Sequence, residues 1–445
     1  MRNFESKLRV RLRKSFNVNS IAFLINLITQ ILTVPILLHN WGVNLYGEWI
    51  ILSALSAYIL LSNFGITDAF SNEMTILCGK EKYNQASKIF KNSWLTISIS
   101  SVLISIILII FITIFSPKSI LNIKLLSHKD TLIIIALLIA YILSSIQLSI
   151  ITSVFKAVRE YSFSVFLLNI IRVLEFTLGA ILVYSGYGPK AFVLSNLAIR
   201  IVGLFFVIRY LKNKHSWINF SISNFDIFSL RAIFKPSVAS GGFAFGNLLI
   251  NQGMILLIGS FLGSTSVVVF NTIRTYSRML LKVSAISINS YSPEMSFFYG
   301  KNKISLLRFL NRKLIKASFL TSTTIILLSY FMGEEILKVW TNDKFFIDHD
   351  LYLLILSETF IYSVWYVGSV PITAANRHFN IVLWYVFAGI LSLIIAYLLF
   401  PLAGSIAAPI ALILADIIIG FCVIKEMLKL TKDNIGSVAR SIFKL

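Results

Sequence analysis

VVVFNTIRTYSRMLLKVSAISINSY, residues 267–291, is long and apolar enough to cross a bilayer, yet it carries Arg274, Arg278 and Lys282. The three cations recur every four residues, so on a helix they form one stripe. A charge at mid-bilayer costs roughly 2.5–3.5 kcal/mol, and three cost on the order of 5–10 kcal/mol even if only the deepest is central. A chain tolerates this when the stripe faces water, an anion or a counter-charge. The segment therefore points to an intramembrane site for something negative.

The rest of the chain has the same character. Of 445 residues, 57% are hydrophobic and only 13% are charged, with a mean hydropathy of +0.83. Soluble domains carry about 25% charged residues. Apolar runs of about twenty residues recur, without the strand-length alternation of a β-barrel. The composition predicts an all-α polytopic membrane protein. The net charge of +21 is read as the cytoplasmic loops of such a protein and not as a nucleic-acid surface, since no basic segment sits on a soluble module with stacking aromatics. Cys78 and Cys422 have no partner motif, and the five histidines form no metal or triad spacing. The glycine-rich run SGGFAFGN (240–247) lacks the lysine of a phosphate loop. No nucleophile–base pair stands out, so no enzyme and no cofactor is expected.

Twelve spans are expected, at about 16–39, 46–67, 93–115, 131–155, 162–185, 190–210, 237–262, 265–291, 313–332, 350–373, 379–400 and 403–424. With both termini cytoplasmic, the inner segments hold about 29 of the 40 Lys and Arg residues and the outer loops about six. No extramembrane domain is expected on either side. An internal repeat is visible at an offset of 221 residues: Glu73-Met74 with Gly79-Lys80 matches Glu294-Met295 with Gly300-Lys301, and Gly42 and Trp49 align with Gly263 and Phe270. Two halves of six spans share orientation and predict a pseudo-two-fold along the membrane normal. The expected organisation is a basic cytoplasmic segment 1–15, an N-terminal six-helix lobe 16–210, an amphipathic cytoplasmic linker 211–236, a C-terminal six-helix lobe 237–424 and a basic tail 425–445.

Helix rise places Arg274 roughly 14 Å below the outer end of its span, near the midplane. Arg172 and Arg200 fall near the middle of two other spans. A planar guanidinium suits bidentate recognition of phosphate. Arg274, Arg278, Lys282, Arg172 and Arg200 are therefore the candidate residues for a phosphate or pyrophosphate, although Glu175 stands three residues after Arg172 and competes for it. Glu175, Glu358 and Asp416 are the acids inside spans and the candidates for counter-ions or for H⁺ or Na⁺ coupling. Asp68, Glu73 and Glu294 lie at inner helix ends and are candidate gates. Pro35, Pro371 and Pro409, with Gly241, Gly242 and Gly246, are candidate bends.

Two stretches carry a resemblance: WGxxxYGEW at 41–49 within residues 32–75, and FNTxRTxSR at 270–278 within residues 252–301. Both resemble Wzx-type polysaccharide flippases of the multidrug/oligosaccharidyl-lipid/polysaccharide (MOP) exporter superfamily, relatives of the MurJ-type lipid II flippases. The resemblance implies a MATE/MOP-like fold with two six-helix lobes around a central cationic cavity, working by alternating access. It implies a substrate of undecaprenyl pyrophosphate carrying an oligosaccharide repeat unit, moved to the periplasmic leaflet of a bacterial inner membrane in O-antigen or related polysaccharide biosynthesis. Arg274 and Arg278 match the positions where relatives are thought to receive the pyrophosphate. The partners it implies are the lipid-linked oligosaccharide, membrane lipid, a polysaccharide polymerase and a chain-length regulator; the charge of such a substrate makes membrane potential the expected drive, with H⁺ or Na⁺ exchange at an intramembrane acid adding to it. The rival readings are a multidrug or organic-ion antiporter of the same superfamily and a membrane-embedded polysaccharide polymerase or ligase.

Overall fold

A computed structural model describes the backbone of residues 2–63, 65–115, 121–215, 217, 218, 220, 231–375 and 377–443; the side chains of 2–17, 19, 68, 231–236, 238–240, 283–290, 292, 293, 297 and 443 lie outside that description. Asp68, the basic side chains of 1–15 and most of the expected linker 211–236 thus fall outside the described residues.

The chain divides into two compact units, Met1–Ala244 and Phe245–Leu445. The first holds α1 (Arg2–Ser56), a 3-10 segment (Ala57–Asn63), α2 (Ile66–Gly79), α3 (Tyr83–Ile114), α4 (His128–Ala157), α5 (Tyr161–Tyr184) and α6 (Pro189–Lys214). Helix α7 (Arg231–Leu248) crosses the boundary and passes through a π-helical turn (Leu249–Gly253) into α8 (Met254–Leu262). The second unit continues with α9 (Ser264–Gly300), α10 (Ile304–Thr341), α11 (His349–Gly368), α12 (Val370–Ala374), α13 (Phe379–Ala403), α14 (Ala407–Thr431) and α15 (Ile435–Phe443). No strand occurs among the described residues. Nine apolar helical stretches among them are long enough to cross a membrane, and the two longest, Ser20–Asn63 and Phe379–Thr431, each contain a glycine turn. The chain is a multi-pass, all-α membrane protein.

Glycine fixes the turns. Gly42 (φ 72°, ψ 172°) interrupts α1, and Gly263 (φ 84°, ψ −178°) separates α8 from α9. This region is open essentially to glycine alone. The two positions stand 221 residues apart, and the same offset recurs along the backbone. Left-handed turns fall at Glu81 (φ 60°) and Asn302 (φ 55°). Helices start at Tyr83 and Ile304, and again at His128 and His349. Their N-caps Ser127 and Asp348 both accept from nearby backbone N–H groups. From there the offset is 218, matching Tyr161 to Phe379, Gly186 to Gly404 and Pro189 to Ala407. The two units therefore repeat much of one helical plan, and they differ in local breaks, such as the 3-10 segment of the first and the π-helical turn of the second, as well as in the placement of charge.

In the first unit α4 packs on α6, α1 on α5, and α2 against α3 and α4. The WGxxxYGEW stretch is explained by this packing. Trp41 and Trp49 meet Phe192 edge-on at 5.6 and 5.5 Å between ring centroids, and the Trp41 indole donates to the Tyr187 carbonyl at 3.0 Å. Glu48 is buried and accepts backbone N–H groups of Lys124 and Leu125 at 2.6 Å and of Leu126 at 3.0 Å. One carboxylate thereby ties down the loop entering α4. Replacing Glu48 with Ala is expected to cost about 2 kcal/mol, since hydrogen bonds to a charged group are the stronger kind. Faster protease cleavage near residues 121–127 in the variant is the readout, and an unchanged rate would contradict this role.

In the second unit α11 and α13 pack on α14, and α9 and α11 on α10. Gly246 has a packing role: a Cβ there would stand 2.5 Å from the Tyr385 ring, so α7 accepts Tyr385 only without a side chain. The stretch expected as a basic tail continues α14 to Thr431 and then forms α15, which packs on α10. Arg312 holds Asp433 through two hydrogen bonds, Nε to Oδ2 at 2.8 Å and Nη2 to Oδ1 at 2.5 Å, while Arg308 Nε donates to the Thr431 carbonyl at 3.0 Å. The Arg312 hydrogen bonds hold the Asp433 carboxyl below the usual carboxylate range. A depressed folded-state pKa means that this clamp is fully present above the unfolded value and is lost as pH falls through the folded one. Arg312 is partly exposed, so Asp433→Asn is expected to cost only about 0.5–1 kcal/mol. Its readout is increased proteolysis of the C-terminal segment at neutral pH; wild-type resistance would contradict the clamp.

Candidate functional site

The stripe that the sequence singles out lies in the second unit, on α9. Arg274 is 6% exposed, Arg278 is half-buried one turn on, and Lys282 is half-buried one turn beyond that. Both arginines converge on Glu358 of α11, itself 1% exposed. Arg278 Nη2 donates to Glu358 Oε1 at 2.5 Å, and Arg274 Nη2 stands 3.7 Å from the same oxygen. The Arg278 guanidinium also lies 3.6 Å from the centre of the Tyr362 ring, a cation–π contact strengthened by exclusion of water. Asp416 of α14 completes the cluster: its Oδ1 accepts the Trp365 indole N–H at 3.0 Å, and it lies within electrostatic reach of Glu358, Arg278 and Arg274.

This network is only partly satisfied. Nε and Nη2 of Arg274 have no hydrogen-bond partner among the described residues, and neither does Oδ2 of Asp416. Each such buried group costs about 1–3 kcal/mol, and more where it is charged. The cluster thus sets two guanidiniums against two carboxyl groups, with donors and an acceptor left over among the described residues.

The first unit treats its charges differently. Arg200 of α6 grips Glu175 of α5 with two bonds of 2.6 Å and donates to the Tyr141 hydroxyl at 2.7 Å. This is a closed, bidentate pair. Arg172 does not take Glu175, its neighbour on the same helix; it is exposed and reaches the Asn26 amide oxygen of α1. It lines a 190 Å³ cavity in which Thr29, Thr33, Glu175 and Asn196 share the wall with Ile36, Leu37, Phe176, Ala180 and Phe192. The structure therefore brings Arg274, Arg278, Glu358 and Asp416 together in one unit and Arg200 with Glu175 in the other. Glu73 and Glu294, 221 residues apart on α2 and α9, show no partner among the described residues.

Three site residues are additions to the sequence reading: Tyr362, Trp365 and Tyr385. Tyr362 and Trp365 follow Glu358 by four and seven residues, a spacing that shares a helix face. That signal was available. Tyr385, which hydrogen-bonds Asn247, reaches the cluster from α13 and had none. Among the described residues no group of His, Cys, Asp and Glu has the arrangement of a metal site.

No protein-family model matches the sequence, and comparison with curated proteins found no match. Comparison with solved structures did. The chain is similar to the lipid II flippase MurJ in an inward closed conformation, with a TM-score of 0.72 at 13% identity over 95% of this chain and 89% of that one. It is similar to a multidrug resistance MATE family transporter of the MOP superfamily in an inward-facing conformation, with a TM-score of 0.65 at 14% identity over 92% and 96%. It is also similar to a MOP superfamily transporter from Pyrococcus furiosus described as having a binding pocket of reverse polarity, with a TM-score of 0.55 at 12% identity over 96% and 95%. These likenesses show a MATE/MOP-like fold.

Proposed function

We propose that the protein is a flippase for a pyrophosphate-linked lipid carrying an oligosaccharide, moved from the cytoplasmic to the periplasmic leaflet of a bacterial inner membrane, with both termini cytoplasmic. The observation that carries this reading is Arg274: a buried guanidinium, beside a second one, with two nitrogens that find no acceptor among the described residues. A tetrahedral oxyanion supplies what that arrangement lacks, and a guanidinium presents its donors in the matching fork. Both acids of the cluster are already engaged, Glu358 by Arg278 and Asp416 by Trp365.

The energetics fit the direction. A pyrophosphate diester carries two negative charges, and an inside-negative potential favours outward movement of each by about 2.3 kcal/mol per 100 mV. A lipid-linked repeat unit delivered this way would be consumed by a polymerase with a chain-length regulator. A second reading, export of organic cations, is favoured by one observation: Tyr362, Trp365 and Tyr385 surround two carboxylates, one of which has a free oxygen.

The two readings separate in cells. Expression in a strain lacking its own repeat-unit flippase is expected to restore surface polysaccharide without raising resistance to cationic drugs. Raised drug resistance with no restored polysaccharide would favour the second reading.

A further inference from the structure

We propose that the Glu358 carboxylate is a resident stand-in for the phosphate, and that an incoming pyrophosphate displaces it from Arg278 with uptake of a proton. The proposal rests on the pyrophosphate reading above. Glu358 Oε1 lies 2.5 Å from Arg278 Nη2 and 3.7 Å from Arg274 Nη2, so one carboxylate oxygen occupies the point on which both guanidiniums converge. Its hold is slight compared with the pair in the other unit. Glu175 meets Arg200 with both oxygens, whereas Glu358 meets Arg278 with one, and among the described residues its other oxygen takes only the Thr359 hydroxyl at 3.2 Å. A half-satisfied buried network is the arrangement most readily exchanged, because the incoming ligand satisfies donors that the resident one leaves idle. Arg274 Nε and Nη2 are those donors.

Charge decides the rest. A pyrophosphate diester brings two negative charges into a buried site, which low-dielectric surroundings oppose. The Glu358 carboxylate that leaves Arg278 loses its counter-ion and takes a proton from water, while Arg278 donates its freed N–H to a phosphate oxygen. The charged groups facing Glu358 are Arg274 and Arg278 from α9 and Asp416 from α14, with Tyr385 from α13 and Tyr362 from its own helix beside those arginines. Helix α10 meets α11 through Phe319 and Phe360. Substrate binding and proton uptake are then one event, and the one proton leaves one of the ligand's two negative charges for the membrane potential to act on.

The experiment is calorimetric titration of the purified full-length protein with citronellyl-pyrophosphoryl-glucose, a diester with no group titrating near neutrality, in buffers of different ionisation enthalpy. Wild type is expected to take up about one proton per ligand, with affinity falling about tenfold per pH unit between pH 6 and 8. Glu358→Gln is expected to bind about tenfold tighter at pH 8 and to take up one proton fewer. Binding by wild type without proton uptake would overturn the exchange and leave the pyrophosphate site standing, and it decides the matter even if the variant does not fold. A variant that binds like wild type with the same pH slope would also overturn it. Absence of binding at every pH would overturn the pyrophosphate reading and this proposal together.

Discussion

Arg274→Ala is expected to lower transport of a pyrophosphate-linked lipid by about 100-fold while leaving insertion and abundance near wild type. Truncating one partner of a buried, hydrogen-bonded charge pair costs about 2–5 kcal/mol, and about 3 kcal/mol is a factor of on the order of 100. Abundance is spared because Arg278 still neutralises Glu358 at 2.5 Å, so the substitution removes the less satisfied of the two cations. Arg274→Lys is expected to recover little, since an ammonium restores the charge but not the fork. Full activity in Arg274→Ala, at equal abundance in the membrane, would remove the residue on which the anion site rests.

The second large effect is on stability. Arg200→Ala leaves Glu175 buried, 7% exposed, with its principal counter-charge gone. Breaking one side of a buried pair costs about 3–5 kcal/mol, so the variant is expected at much reduced abundance. Removing both charges together, as Arg200→Gln with Glu175→Gln, is expected to restore abundance and to keep transport. That recovery marks the pair as a brace between α5 and α6. A double variant that is abundant but inactive would instead assign the pair to the substrate.

The contrast between these pairs shows where sequence reading reached and where it stopped. The stripe of Arg274 and Arg278 was legible because helical spacing is local, and the cost of charge in a bilayer is large enough to demand a partner. Its counter-ion Glu358 was recognised as an intramembrane acid, but a contact across 80 residues leaves no local trace. Glu175 shows the same limit in reverse. Local spacing offers it Arg172, three residues away, yet Arg172 is exposed and turns to Asn26 while Glu175 is buried and meets Arg200 from α6. Residues three apart on a helix differ by about 60° in direction, enough to separate a buried face from an exposed one.

The backbone was more legible than the contacts. Gly42 and Gly263 align by sequence offset, and both adopt the positive-φ turn that glycine permits. Helix α15 was passed over because its basic neighbours dominate the stretch, although Ile435, Val438 and Ile442 share one face. Glu48 lay within a quoted motif, but nothing in its neighbours announces that it caps a loop 76 residues away.

The most direct test of the central claim is reconstitution of the purified protein into vesicles with a fluorescent undecaprenyl-pyrophosphoryl oligosaccharide, read by a membrane-impermeant quencher. Wild type should carry label from the protected to the accessible leaflet faster under an imposed potential that favours outward movement of negative charge, and Arg274→Ala should not. Wild-type vesicles that leave the lipid in place while moving an organic cation would contradict the account.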